Sequence, residues 1–284
     1  MGFVAVIGGG PLGGALAHKL ALRDRIRDVR LIDPHGGIAQ GKALDILQSA
    51  AVDRFSARLT SAHALHSAAG ADAIVIADAA DTGREHTGEP GLALIRQIAA
   101  FETTAPLVFA GAGQRELIGR AVAELHVPRS RVLGTAPGAL ESALRALAAL
   151  AIDASAVEVQ LQIVGTPPAG VAVGWEEASV SGMPLTSQMP PHAVAALSAR
   201  IPRLWPPGPM ALASAAARVV EGIAHGSRRR FTCFVVLDAG PSRNAVTAMP
   251  VEVGSKGIAR VLEPALTRQE RTQMENAIEE APRR

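Results

Sequence analysis

The chain has 284 residues, a formal net charge of only +2, 3% aromatic residues and no tyrosine. That length suffices for one large or two ordinary domains with a sizeable core. The even charge balance and the scarcity of rings argue against a nucleic-acid surface, which needs basic patches and stacking platforms.

An apolar run starts at Phe3, with no basic leader or long apolar segment ahead of it, so a soluble cytoplasmic protein with no membrane partner is expected. The run breaks into Gly8-Gly-Gly-Pro-Leu-Gly13 and resumes as a helical pattern through Leu20. These residues fit G-x-G-x-x-G, in which glycines make the turn, let the backbone approach a pyrophosphate and pack helix on strand. Strand, turn and helix follow in the order the motif requires. Gly8, Gly10, Pro11, Leu12 and Gly13 are therefore candidate cofactor-binding residues. Pro11 suits a first helical position but has no N–H, so Leu12 and Gly13 must do the donating. A second strand, Val29 to Ile32, ends at Asp33, about 20 residues past the glycines. A carboxylate there accepts from an adenosine ribose and disfavours a 2′-phosphate, which implies NAD rather than NADP.

A helix is expected from Gly37 to Ala51, then a buried strand from Ala71 to Ala77 that opens into a polar loop, Asp78 to Pro90. Further strands fall at Pro106 to Ala110 and Arg131 to Leu133, with a helix from Arg115 to Leu125 between them. Apolar strands alternating with helices imply a mostly parallel sheet covered on both faces, a Rossmann-type doubly wound domain over residues 1–138. Three loops, Gly8 to Gly13, Asp78 to Pro90 and Gly111 to Gln114, should meet at one crevice beyond the strand ends.

Over 139–284 the pattern changes to an α+β domain. A helix to Ala149 precedes Ala156 to Val164, whose period-two alternation predicts a strand with one solvated face. A Pro-rich link from Pro202 to Pro209 leads to a helix from Ala211 to His225. Arg228-Arg-Arg230 reads as a solvated turn, and Cys233 as an inert thiol in the core strand Phe231 to Leu237. Pro250 to Val253 is a further strand, and a charged helix runs from Thr267 to Ala281. The histidines lack metal-ligand spacing, so no metal is expected.

Several stretches together resemble the malate and lactate dehydrogenase family, nearer the malate branch. They are the glycine turn, Leu31-Ile-Asp33, Gly41-Lys-Ala-Leu-Asp-Ile46, Gly182-Met-Pro-Leu185, the helix from Ala213 to Ile223, and Val251 to Leu262. The resemblance implies hydride transfer between NAD and a small anionic 2-hydroxy or 2-oxo acid, and a homodimer or homotetramer paired through the helix after Asp33. It also implies a set of site residues from which this chain departs. Thr166 stands where the family has its proton-accepting histidine, and a threonine hydroxyl is no general base near neutral pH. Leu140-Glu-Ser-Ala-Leu-Arg145 puts Glu141 at the family's aspartate and Leu144 at its carboxylate-binding arginine. Arg145 then falls about 100° further round the helix. Gly113 replaces an asparagine, and Pro90 a second mobile arginine, while Arg84 matches the first.

Arg84, with His86 beside it on the loop, and Glu141 are the candidate catalytic residues that are left. Glu141 and Arg145 also have the spacing of an ordinary helix ion pair, and Lys42 and Asp45 that of simple helix support. The resulting expectation is an NAD-binding pseudoenzyme with little or no ordinary malate activity. The alternative is a divergent oxidoreductase for another 2-oxo acid.

Overall fold

A computed structural model of the chain describes residues 2–168, 170–238 and 243–280. β1 (Val4–Ile7) is buried at every position, as an apolar run must be when helices cover both faces of a sheet. Gly8 turns the chain at φ +104°, a backbone angle that a side chain would strain. α1 (Pro11–Arg23) opens with proline at its first position, where the missing N–H costs nothing and the fixed φ suits a helix. It lays Leu12, Leu16 and Leu20 on the sheet. β2 (Asp28–Ile32), α2 (Gly36–Asp53), β3 (Arg58–Ala62), β4 (Ala73–Ile76), α3 (Gly88–Phe101), β5 (Leu107–Phe109), α4 (Arg115–Ala123) and β6 (Val132–Gly134) follow. The six strands run parallel in the order β3-β2-β1-β4-β5-β6.

The second half comprises α5 (Ala136–Ala151), β7 (Val159–Gln160), β8 (Ile163–Thr166), β9 (Gly170–Val173), β10 (Ser179–Val180), β11 (Met183–Pro184), α6 (Pro191–Arg200) and α7 (Pro209–Ala224). β12 (Arg230–Val236), β13 (Val246–Gly254), β14 (Gly257–Val261) and α8 (Arg268–Glu280) complete it. Its strands pair antiparallel. The fold is thus α/β with a Rossmann-type parallel sheet, followed by a mixed α+β part. β12 bonds antiparallel to β6, so one sheet continues from the first half into the second. We propose the division of the chain near residue 138, in the first turn of α5, with the sheet crossing it.

Three findings refine the expectations. The alternating run from Ala156 is not one strand: Val159, Leu161 and Ile163 point inward, but β7 joins a small three-stranded sheet and β8 the large one. Pro90 lies in the first turn of α3, so the polar loop ends sooner than its composition suggests. The end of the last helix, from residue 281, lies outside the described residues. The expected solvated turn at Arg228 to Arg230 is exposed, and Cys233 is fully buried, with burial pushing its thiol pKa far up.

α7 packs across α1, and Arg23 reaches over to Glu221, with Nη2 3.0 Å from Oε2. Among the described residues no helix is long and apolar enough to cross a membrane.

Candidate functional site

The three loops converge as their strand ends require. Gln114, fully buried, ties two of them: its amide nitrogen donates to the carbonyls of Ala77 (3.2 Å) and His86 (3.1 Å), and its oxygen accepts from Gly111 N–H (2.8 Å).

At the glycine turn, Asp33 lies where the spacing places it, 1% exposed at the end of β2. Its carboxylate is already engaged, accepting from the N–H groups of Gly9 (2.8 Å), His35 (2.8 Å) and Ala80 (2.9 Å). Burial alone would raise its pKa, but those three donors bring it below the ordinary aspartate value. The first turn of α1 is engaged as well. Asp78, 3% exposed just past β4, accepts from Leu12 N–H at 2.9 Å and Gly13 N–H at 2.8 Å. Gly10 allows this approach, because a Cβ there would lie 2.4 Å from the Asp78 Cγ. Lys42 does more than support its helix: Nζ donates to the carbonyls of Gly9 and Gly10, at 2.8 Å for the latter, and so fixes the turn from the other side.

On the polar loop, Glu85 accepts from Ala112 N–H (2.8 Å) and Gly113 N–H (2.7 Å), pinning the loop across the end of β5. Arg84 is exposed. His86 turns inward, and its Nε2 is buried without a hydrogen-bond partner. Burial lowers its pKa, and the opposing charges of Asp33, Asp78 and Asp81 recover only part of that, so the ring is neutral at pH 7.

The candidates in the second half are not assembled into a site. Thr166 is 2% exposed and donates its hydroxyl to the Ala277 carbonyl on α8 at 2.9 Å. Glu141 accepts from the Thr232 hydroxyl, and burial pushes its carboxyl up against that bond and the nearby Arg145. The expected Glu141–Arg145 ion pair does not form: Arg145 Nε instead donates to the Val159 carbonyl at 2.6 Å and holds the chain entering β7. Leu144 is fully buried in the apolar core. A cavity of about 770 Å³ lies between β9, α6 and α8, and none of the candidate residues lines it.

Sequence reasoning passed over Asp78, Glu85 and Gln114. The signal for Asp78 was a carboxylate placed directly after a buried parallel strand, where the chain must return beside the glycine turn.

A six-stranded parallel sheet with a glycine turn at its switch point, continued by antiparallel strands, defines the class of dinucleotide-fold proteins with an appended α+β part. Within that class the chain is similar to malate dehydrogenases over nearly its whole length. It is 27% identical to that of Chlorobium chlorochromatii, over 96% of this chain and 94% of that protein. It is 28% identical to that of Dehalococcoides mccartyi strain CBDB1, over 97% and 95%. Its fold matches the lactate dehydrogenase of Cryptosporidium parvum complexed with lactic acid and NAD, at a TM-score of 0.87 and 21% identity over 99% of this chain and 96% of the other. No protein-family model matches. Over nearly its full length the chain is thus similar to malate dehydrogenases, and its fold is that of the malate and lactate dehydrogenases.

Set against a dinucleotide, the crevice does not fit as it stands. The donors that the α1 terminus would offer a phosphate are held by Asp78, and the Asp33 carboxylate, expected at a ribose, already accepts from three backbone N–H groups.

Proposed function

We propose that this chain is a malate dehydrogenase-like pseudoenzyme, a cytoplasmic homo-oligomer in which ordinary malate or oxaloacetate turnover is absent or very weak. The observation that carries this is Thr166: its hydroxyl is buried and spent on the Ala277 carbonyl, leaving nothing there to take a hydroxyl proton. The surroundings agree. Leu144 offers a substrate carboxylate no charge, Arg145 is committed to the Val159 carbonyl, and Glu141 is held by Thr232. Where several members of a cooperative catalytic unit are missing together, rates fall by orders of magnitude. The test is NADH oxidation with oxaloacetate on purified protein. A rate indistinguishable from background is expected, and turnover of the usual dehydrogenase size would sink the reading.

A second reading, an NAD-dependent oxidoreductase for a different 2-oxo or 2-hydroxy acid, draws on His86. A neutral imidazole with an unpartnered buried Nε2 beside the crevice is a group able to accept a proton. This reading requires NAD to displace the carboxylates of the crevice and Arg84 to swing in from solvent. A screen of 2-oxo acids with NADH, repeated on His86→Gln, separates the two: substrate-dependent oxidation abolished by the substitution would favour the oxidoreductase.

The proposed self-association rests on α2. Its outward face carries Gly37, Gln40, Gly41, Leu44, Leu47, Gln48, Ala51 and Val52, all exposed and none charged. An uncharged stripe of that length on a surface helix fits the centre of a protein interface.

A further inference from the structure

We propose that Asp78 is a built-in substitute for a ligand phosphate, and that by occupying the α1 terminus it closes the dinucleotide site of this chain. The N-terminus of a helix attracts anions because its first N–H groups lack partners within the helix and the backbone dipoles add there. In α1 one of those groups is missing at Pro11, and the next two, Leu12 and Gly13, point at the two oxygens of Asp78. A carboxylate is an anion with the oxygen spacing to take two adjacent N–H groups, so it meets the terminus as a phosphate would. The position is enforced from three directions. Gly10 N–H donates to the Asp78 carbonyl at 3.0 Å, the Gly10 Cα leaves room for the side chain, and Lys42 holds the Gly9 and Gly10 carbonyls turned away.

A dinucleotide entering this turn would meet a buried negative charge where its own negative charge must go. It would have to expel Asp78 and leave that carboxylate without its two donors, in an environment that already holds Asp33. Both the repulsion and the lost bonds oppose binding. Glu85 adds a second carboxylate at the end of β5, again on paired N–H groups.

The inference is independent of the missing catalytic groups: the proposed lack of turnover rests on Thr166 and its neighbours, and this rests on Asp78 alone. The experiment is calorimetric titration of the full chain and of Asp78→Ala, Asp78→Ser and Asp78→Asn with NADH, ADP-ribose and adenosine, with circular dichroism to confirm folding. Ser and Asn keep an oxygen for the α1 donors and remove the charge, so they guard against a variant that fails to fold. The wild-type chain is expected to give no saturable heat up to roughly 1 mM NADH. The variants should bind NADH and ADP-ribose at least about tenfold more tightly than wild type, with no gain for adenosine, which has no phosphate. Saturable micromolar NADH binding by the wild-type chain would overturn the proposal, as would a gain equally large for adenosine. If the wild-type chain binds NADH yet does not reduce oxaloacetate, this inference falls while the pseudoenzyme reading stands.

Discussion

Replacing Thr166 by histidine should not restore oxaloacetate reduction, because Leu144 and Gly113 would still lack the groups that hold and orient a 2-oxo acid. The larger ring would also be forced against α8, at a cost of about 1–3 kcal/mol, read as a lower melting temperature. Substantial turnover from that single change would refute the account of the site. Glu102 offers a separate test in pH. Burial alone would raise its carboxyl, but the N–H groups of Gly70, Thr104 and Ala105 and the Thr104 hydroxyl bring it from 4.5 to about 2. A carboxyl lowered on folding stabilises fully above its unfolded value, and that contribution is lost as pH falls through the folded one. Denaturant melts of Glu102→Gln should therefore show the largest deficit against wild type near neutrality, with the gap closing between pH 4.5 and about 2. The glycine turn and Asp33 were readable from residues alone because their chemistry lies in local spacing. The hold of Asp78 on Leu12 and Gly13, across 65 and 66 residues, was not, since no local pattern records which strand ends become neighbours.

At the level of elements, the seam between α1 and α7 concentrates stability in one ion pair. Glu221 is 2% exposed at its side chain and Arg23 27%, and each partner raises the cost of removing the other. Arg23→Ala should destabilise by about 3 kcal/mol, because it takes the hydrogen-bonded partner from a buried carboxylate and leaves only the charge of Arg218 nearby. The apolar pair Arg23→Met with Glu221→Leu should recover most of that loss in chemical denaturation. A deficit in the double variant as large as in Arg23→Ala would instead assign the effect to packing. The helices α2 and α7 were legible in the sequence to within a few residues. The run from Ala156 was not, because inward alternation at Val159, Leu161 and Ile163 is the same whether one sheet or two receives it. Only the pairing of β7 with β10 and of β8 with β13 decides.

For the whole molecule, the uncharged face of α2 predicts self-association. Leu44→Glu should weaken it by about 10- to 100-fold, the equivalent of about 1.5–3 kcal/mol for one apolar side chain, as measured by sedimentation at several concentrations. A wild-type chain that sediments as a monomer throughout would refute the proposed pairing. The join between β6 and β12 has a different consequence, in the order of synthesis. Gly134 bonds with Phe234, so the outer edge of the parallel sheet waits for a partner one hundred residues further along the chain. At a synthesis rate of about 5–20 residues per second, that edge stays open on the ribosome for roughly 5–20 s. An uncovered, fully buried-type strand is a template for pairing with another chain. A nascent chain stalled before β12 thus carries an open edge prone to aggregation, and the hairpin of β12 and β13 acts as the cap that ends its exposure.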